Sequence, residues 1–326
     1  MIDFRYHLVS IIAVFLALAV GLAVGSTALS GKAAAFLSAQ ERRAIAANAS
    51  LTKHNQALTN QIAADQAFAQ AGSQRLLGGV LAHEKVVLVV APGADDAVTS
   101  GITAALRQAG ATVTGQVDLS QSFLTTNGAT ETSLTQLAQN LAARTGLPPP
   151  TQSPSQVGGQ QAAAQLLAAS LLDSPSGASV PSAKVTADVL TGLEQTGFLT
   201  ANAMPAAANL AVLVAPGGLP PQTGSAVLIS VAAQLKQASS GATVMAGSSE
   251  SVGSDSVISN ENISTDPVST VDNADTESGQ IMVVQALRYL LAGKAPAQYG
   301  ISSGNAPSPA PSLSPANSVA TAGGHP

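Results

Sequence analysis

KVVLVVAPG at residues 85–93 and NLAVLVAPG at residues 209–217 are the two stretches whose reading decides the fold. Each carries an unbroken apolar run, residues 86–91 and 210–215, that ends in Pro-Gly. A run without polar alternation suits a strand buried on both faces, the pattern of a parallel sheet held between helices. Each copy is followed by a helical stretch and then by a short strand, ATVTG from Ala111 and ATVMAG from Ala242. Strand, turn, helix, strand, read twice, predicts parallel pairing with right-handed crossovers. The expected architecture is an α/β, three-layer, Rossmann-like parallel sheet built from two related βαβ halves, with roughly five short buried strands.

Working outward, helices are expected over residues 95–108, 131–144, 160–172, 182–195, 222–237 and 277–292. The last follows a short strand at 268–271 and stops at Gly293, a residue suited to a helix C-terminus. The segment LPPPTQSPSQVGG, residues 147–159, reads as a linker or surface excursion between the halves. Residues 301–326 form an Ala/Pro/Ser tail expected to be disordered.

Upstream of the first half the chain begins MIDFRYHLVSIIAVFLALAVGLAVGSTAL. The uncharged run over residues 8–29 spans about 33 Å as a helix, at roughly 1.5 Å per residue, enough to cross a bilayer. A cleaved signal peptide is the alternative, with Arg5 before the run and small residues Gly25, Ser26, Thr27 and Ala28 near a cleavage point. Signal-peptide cores reach about 15 residues, so this longer run is read as an uncleaved, single-pass anchor. Charge does not orient it, because Arg5 and His7 precede the span while Lys32, Arg42 and Arg43 follow it. The low charged content of 10% and the tail composition place the bulk of the chain outside the cytoplasm.

Residues 33–72 contain no proline and many good helix formers, and they read as a helical stalk closed by Gly72, Gly78 and Gly79. Leu37, Ala44, Leu51 and Leu58 recur every seven residues. With these at d, positions a fall on Glu41, Asn48, Asn55 and Ile62, and asparagine at a specifies parallel pairs at some cost in stability. The dimer-seam candidates are therefore Leu37, Ala44, Asn48, Leu51, Asn55, Leu58 and Ile62. A solitary stalk packing back on its own domain is the alternative. The organisation is then an anchor over 1–30, a stalk over 31–78, α/β halves over 79–146 and 160–300 joined by 147–159, and the tail.

Composition narrows the chemistry. With 46% hydrophobic residues the chain can bury a sizeable core. A net charge of −5, with 13 scattered Lys and Arg, leaves no basic stripe for phosphates, so nucleic acid is not expected as a partner. The absence of cysteine removes disulfides, thiolate metal sites and cysteine nucleophiles.

Several motif-like segments fail on their spacing. GSTALSGK, residues 25–32, has one residue too many between its glycines for a phosphate-binding loop, and Ala33 stands where Ser or Thr would follow. The turns APGADD and APGGLPP lack the G-x-G-x-x-G pattern for pyrophosphate. GSSES, residues 247–251, resembles a nucleophile elbow but closes on Ser251 instead of glycine. A base is also wanting there, since His7, His54 and His325 lie in the anchor, stalk and tail, and His83 is expected to face solvent. The acids Glu250, Asp255, Glu261, Asp266, Asp272, Asp275 and Glu277 match no cation loop, and TVDNADTESGQ reads more simply as a strand end and helix cap. No catalytic residue, cofactor or metal ligand set is assigned.

The N-terminal block, the stalk, the VVLVVAPG and AVLVAPG turns and STVDNADTESGQ together resemble the actinobacterial MctB family of copper transport proteins. The resemblance covers most of the chain and implies a membrane-anchored envelope protein, described for the family as a pore-forming outer-membrane factor in copper efflux and homeostasis. Related members, called SteB, are described as partners of a SteA protein that control cell-wall hydrolases in cell separation. The residues themselves offer copper(I) little: no Cys, and only Met204, Met245 and Met282 beyond Met1. A β-barrel would need at least eight alternating strands, so a pore could arise only from oligomerised anchors. The expectation is a non-enzymatic envelope protein with copper as the implied transported ion. The alternative is a SteB-type dimeric scaffold with a SteA-like protein and a cell-wall hydrolase as partners.

Overall fold

The computed structural model describes residues 4–151, 157–173, 180–202, 205–217, 222–251, 256–262 and 264–301. Strands β1 (Lys85–Val90) and β4 (Leu210–Val214) lie side by side and parallel, Val86 opposite Leu210 and Val90 opposite Val214. That register has the same offset at which KVVLVVAPG and NLAVLVAPG match in sequence, so the repeated stretches form the central pair. From β1 the chain passes through α2 (Asp96–Gln108) to β2 (Thr112–Leu119) on one side. From β4 it passes through α7 (Gln222–Ala238) to β5 (Thr243–Ala246) on the other. Right-handed crossovers leaving in opposite directions must cover opposite faces, and α2 and α7 do so.

The full sheet has seven strands in the order β3-β2-β1-β4-β5-β6-β7, completed by β3 (Leu199–Asn202), β6 (Ser269–Val271) and β7 (Gln298–Tyr299). All neighbours are parallel except β2 and β3, which are antiparallel. Two strands therefore exceed the expected five. The segments LTAN and QY are too short to show a period, and their partners are distant in sequence.

Strand alternation divides the core in two. Val87, Val89, Ala211, Leu213 and Met245 face α4 (Gly128–Thr145), α5 (Gly158–Leu171), α6 (Ala183–Gln195), α7 and α8 (Val257–Asn262). Short helix α3 (Gln121–Leu124) adds Phe123 to the same cluster. Val86, Leu88, Val90, Leu210, Val212 and Val244 face α2 and α9 (Glu277–Leu291). Helix ends follow local chemistry: Asp95, Asn127, Ser182 and Thr276 cap α2, α4, α6 and α9 through their side chains, and left-handed Gly146 ends α4.

Gly159 lies in α5 where it crosses α4, and an added Cβ would sit 2.2 Å from the Glu131 carbonyl oxygen. Because that neighbour is backbone, the helices must separate to admit a methyl group. Gly159→Ala is expected to cost about 2 kcal/mol of overpacking. Gly128→Ala, at a position with nothing within 4 Å, is expected to be neutral or slightly stabilising. Denaturant midpoints of the two variants check the contrast.

The chain divides into two compact units, Met1–Asp65 and Gln66–Pro326. Helix α1 runs Phe4–Leu77 and is the only described element of the first unit. Its last turns belong to the second unit, where Leu77 joins the core and Leu76 offers its carbonyl to Gln285 Nε2 at 2.9 Å. Neither Gly31 nor Gly72 breaks the helix, and the phosphate-loop mimic at residues 25–32 is helical throughout.

Candidate functional site

The seam candidates Leu37, Ala44, Asn48, Leu51, Asn55, Leu58 and Ile62 all lie on α1, where their spacing sets them along one face. All are exposed, and Leu37 and Leu51 keep more than 60% of their surface accessible, at 66% and 61%. Segment Tyr6–Gly25 of the same helix is long and apolar enough to cross a membrane and is not buried within the chain. Such surface on a helix calls for a lipid or protein environment.

In open α/β sheets, ligands favour the carboxyl ends of strands where the order reverses, here between β1 and β4. The first turn there is tight: Ala94 N–H donates to the Ala91 carbonyl at 3.1 Å, Gly93 adopts φ +85°, and Asp95 turns back to cap α2. Of the second turn, Ala215–Gly217 are described, and residues 218–221 lie outside the described residues.

GSSES follows β5 and acts as a tie between loops. Ser249 donates from its N–H at 2.8 Å and its hydroxyl at 2.7 Å to the Asp275 carboxylate. The buried Ser251 hydroxyl donates to the Pro216 carbonyl at 2.9 Å. The turns after β4, β5 and β6 are thus bonded together, and Ser249 and Ser251 are occupied by that task. His83 is exposed in the turn before β1, at φ +71°.

The acids of residues 250–277 are distributed rather than convergent. Asp272 accepts from Ile301 N–H at 2.7 Å, Asp266 pairs with Lys236, and Glu277 lies in the first turn of α9 behind the Thr276 cap. Glu261 is buried, and Asp255 lies outside the described residues. Burial pushes the Glu261 carboxyl above the usual carboxylate range, opposed by the Val268 N–H and by Lys236.

Soft ligands are also dispersed. Met245 is buried on the α5/α7 face of the sheet, while Met282 packs against the cluster on the opposite face. Met1, Met204 and His325 lie outside the described residues. Among the described residues, no three His, Asp or Glu side chains converge to hold a metal ion. A cleft of about 500 Å³ opens between the last turns of α1 and α2 and the first turn of α9, lined by Gln70, Ser73, Gln74, Gln108, Glu277 and Gln280. Carboxamides and one carboxylate give it hydrogen-bonding rather than soft-metal character. Sequence reasoning missed this cleft because its glutamines are spread over three helices.

An anchor-length helix, an exposed apolar helix face and a sheet whose loops bind one another are the features of the described residues. Residues 1–311 match the family described as "Copper transport outer membrane protein, MctB". The chain belongs to the MctB family. The copper transporter MctB of Mycobacterium tuberculosis (strain ATCC 25618 / H37Rv) is 31% identical over 314 residues, covering 93% of this chain and 98% of the relative. The copper transporter MctB of Mycobacterium leprae (strain TN) is 33% identical over 318 residues, with the same coverage of 93% and 98%. Near-complete coverage of both chains means that the MctB match extends over α1 and the α/β unit alike.

Proposed function

We propose that this chain is a non-enzymatic, membrane-anchored envelope protein that serves copper transport and homeostasis as a self-associated assembly. The observation that carries this reading is the family match over residues 1–311, under a description that names both copper and the outer membrane. In this reading Tyr6–Gly25 is a single-pass anchor, the seam from Leu37 to Ile62 pairs parallel copies, and the Rossmann-like unit stands on the extracytoplasmic side.

Copper is cargo in this scheme. A conduction path through oligomerised anchors would be lined by Leu, Ile, Val, Ala and Gly, which offer no ligands, so selectivity would have to come from elsewhere in the assembly. The test uses the full-length chain, both dialysed against copper and reconstituted into vesicles, alongside copper tolerance of a host lacking the gene. Copper flux through the vesicles and restored tolerance on complementation are expected. Absence of bound copper, of flux and of any change in tolerance would overturn the reading.

The exposed stripe on α1 also favours a second reading, a SteB-type scaffold that captures a SteA-like protein and so controls a cell-wall hydrolase. Loss of the gene would then leave cells joined after division while copper tolerance stayed normal.

A further inference from the structure

Helix α8 ends beside a carboxylate placed where a charge is costly. Glu261 is 1% exposed. Its Oε1 accepts from the Val268 N–H at 2.9 Å and from the Ser264 hydroxyl at 3.5 Å, while Oε2 is buried without a partner. Residues 264–268 lead into β6, so this side chain fastens the segment at both ends, through Ser264 and through the amide of Val268.

The nearby cation is already engaged. Lys236 of α7 pairs with the Asp266 carboxylate and donates to the Pro267 carbonyl at 2.9 Å. No other charged residue occurs among the described residues of α7, α8 and β6, so Lys236 and Asp266 are the charged groups that face Glu261. Ionised, Glu261 would be a buried anion with one bare oxygen and a counter-ion shared with another acid. An uncompensated buried charge is relieved either by holding the proton or by letting in water.

We propose that Glu261 is a proton-operated fastener of residues 264–268: protonated, it holds the segment closed, and when it gives its proton to solvent the segment opens to hydrate the carboxylate. The sign follows from linkage. Closure holds the proton more tightly than the open segment does, so closure is favoured fully below the ordinary carboxylate range and loses that advantage as pH rises through the raised value. The segment leads directly into β6 (Ser269–Val271), so the edge formed by β6 and β7 becomes responsive to the acidity of its compartment.

Hydrogen exchange of the full chain in detergent micelles tests this, with rates corrected for the intrinsic pH dependence of exchange. From about pH 5 to about pH 8, a window above the ordinary Glu value, the Val268 amide is expected to lose protection several-fold while Leu88 in β1 keeps its own. Glu261→Gln, which retains a carbonyl acceptor without the charge, is expected to abolish the change. Wild-type protection at Val268 that is equal at both pH values overturns the proposal, and this result does not depend on how the variant folds. A parallel loss at Leu88, or a Glu261→Gln protein that retains the pH response, overturns it as well.

Discussion

The double substitution Leu16→Arg with Leu18→Arg is expected to move the chain from the membrane fraction to the soluble fraction, whereas Leu16→Arg alone leaves it in the membrane. Tyr6–Gly25 carries eleven Leu, Ile, Val and Phe residues. At roughly −0.4 kcal/mol each these favour insertion by about 4 kcal/mol, and one central arginine costs about 3 kcal/mol. One arginine therefore leaves the balance on the side of the bilayer. Two, with two leucines lost, reverse it by roughly 2 kcal/mol, which at about 1.4 kcal/mol per tenfold is more than a tenfold preference for water. Leu16 and Leu18 are 65% and 66% exposed, so the change removes no packing within the chain. Alkaline extraction of membranes followed by quantitation of both fractions reads the result. A double variant that pellets with the wild type would mean that this segment is not what attaches the protein.

The legibility of this chain tracks how local each signal is. Residues 86–90 and 210–214 could be read as central strands because burial on both faces leaves no polar position to maintain. The starts of α2, α6 and α9 were legible for a similar reason: Asp95, Ser182 and Thr276 act on amides two or three residues away, so the cap is written beside the helix it starts. Helix α4, by contrast, begins at Gly128 behind Asn127, three residues before the expected 131. The antiparallel strand β3 was not legible. Its four residues pair with Gln116–Leu119, about eighty positions earlier, and nothing local in LTAN announces that partner. The acids of residues 250–277 show the same division. Their presence suggests a cluster, but whether each caps, pairs or is buried depends on which of α7, α8, β6 and β7 it meets. Glu261 is the extreme case, because VISNEN reads as polar at its end and only tertiary packing seals it.

Leu51→Pro is expected to abolish self-association of the full-length chain while leaving the α/β unit folded. Residue 51 falls within the unit Met1–Asp65, inside α1, so the substitution does not touch the sheet or its two cores. Proline removes one helical hydrogen bond and clashes with the preceding turn at a cost of about 3 kcal/mol. In a parallel pair both copies meet this cost, about 6 kcal/mol in total, or roughly four decades in the dissociation constant. Association itself costs about 4–15 kcal/mol in lost freedom, so the seam's net margin cannot absorb such a loss. The seam offers four large apolar residues per chain, worth about 2 kcal/mol each when buried, and interrupts them with Ala44, Asn48 and Asn55. Asn48→Leu with Asn55→Leu should act in the opposite sense, tightening association while admitting more than one oligomer size, because asparagines at the a positions of a paired seam would select pairing and register at the expense of stability. Sedimentation of the three proteins in detergent would therefore order them as Leu51→Pro, wild type and the double asparagine variant from smallest to largest mass. A Leu51→Pro chain sedimenting with the wild type would place self-association outside the seam and remove the scaffold reading's physical basis, since the capture of any partner by paired stalks depends on α1 remaining helical through residue 51.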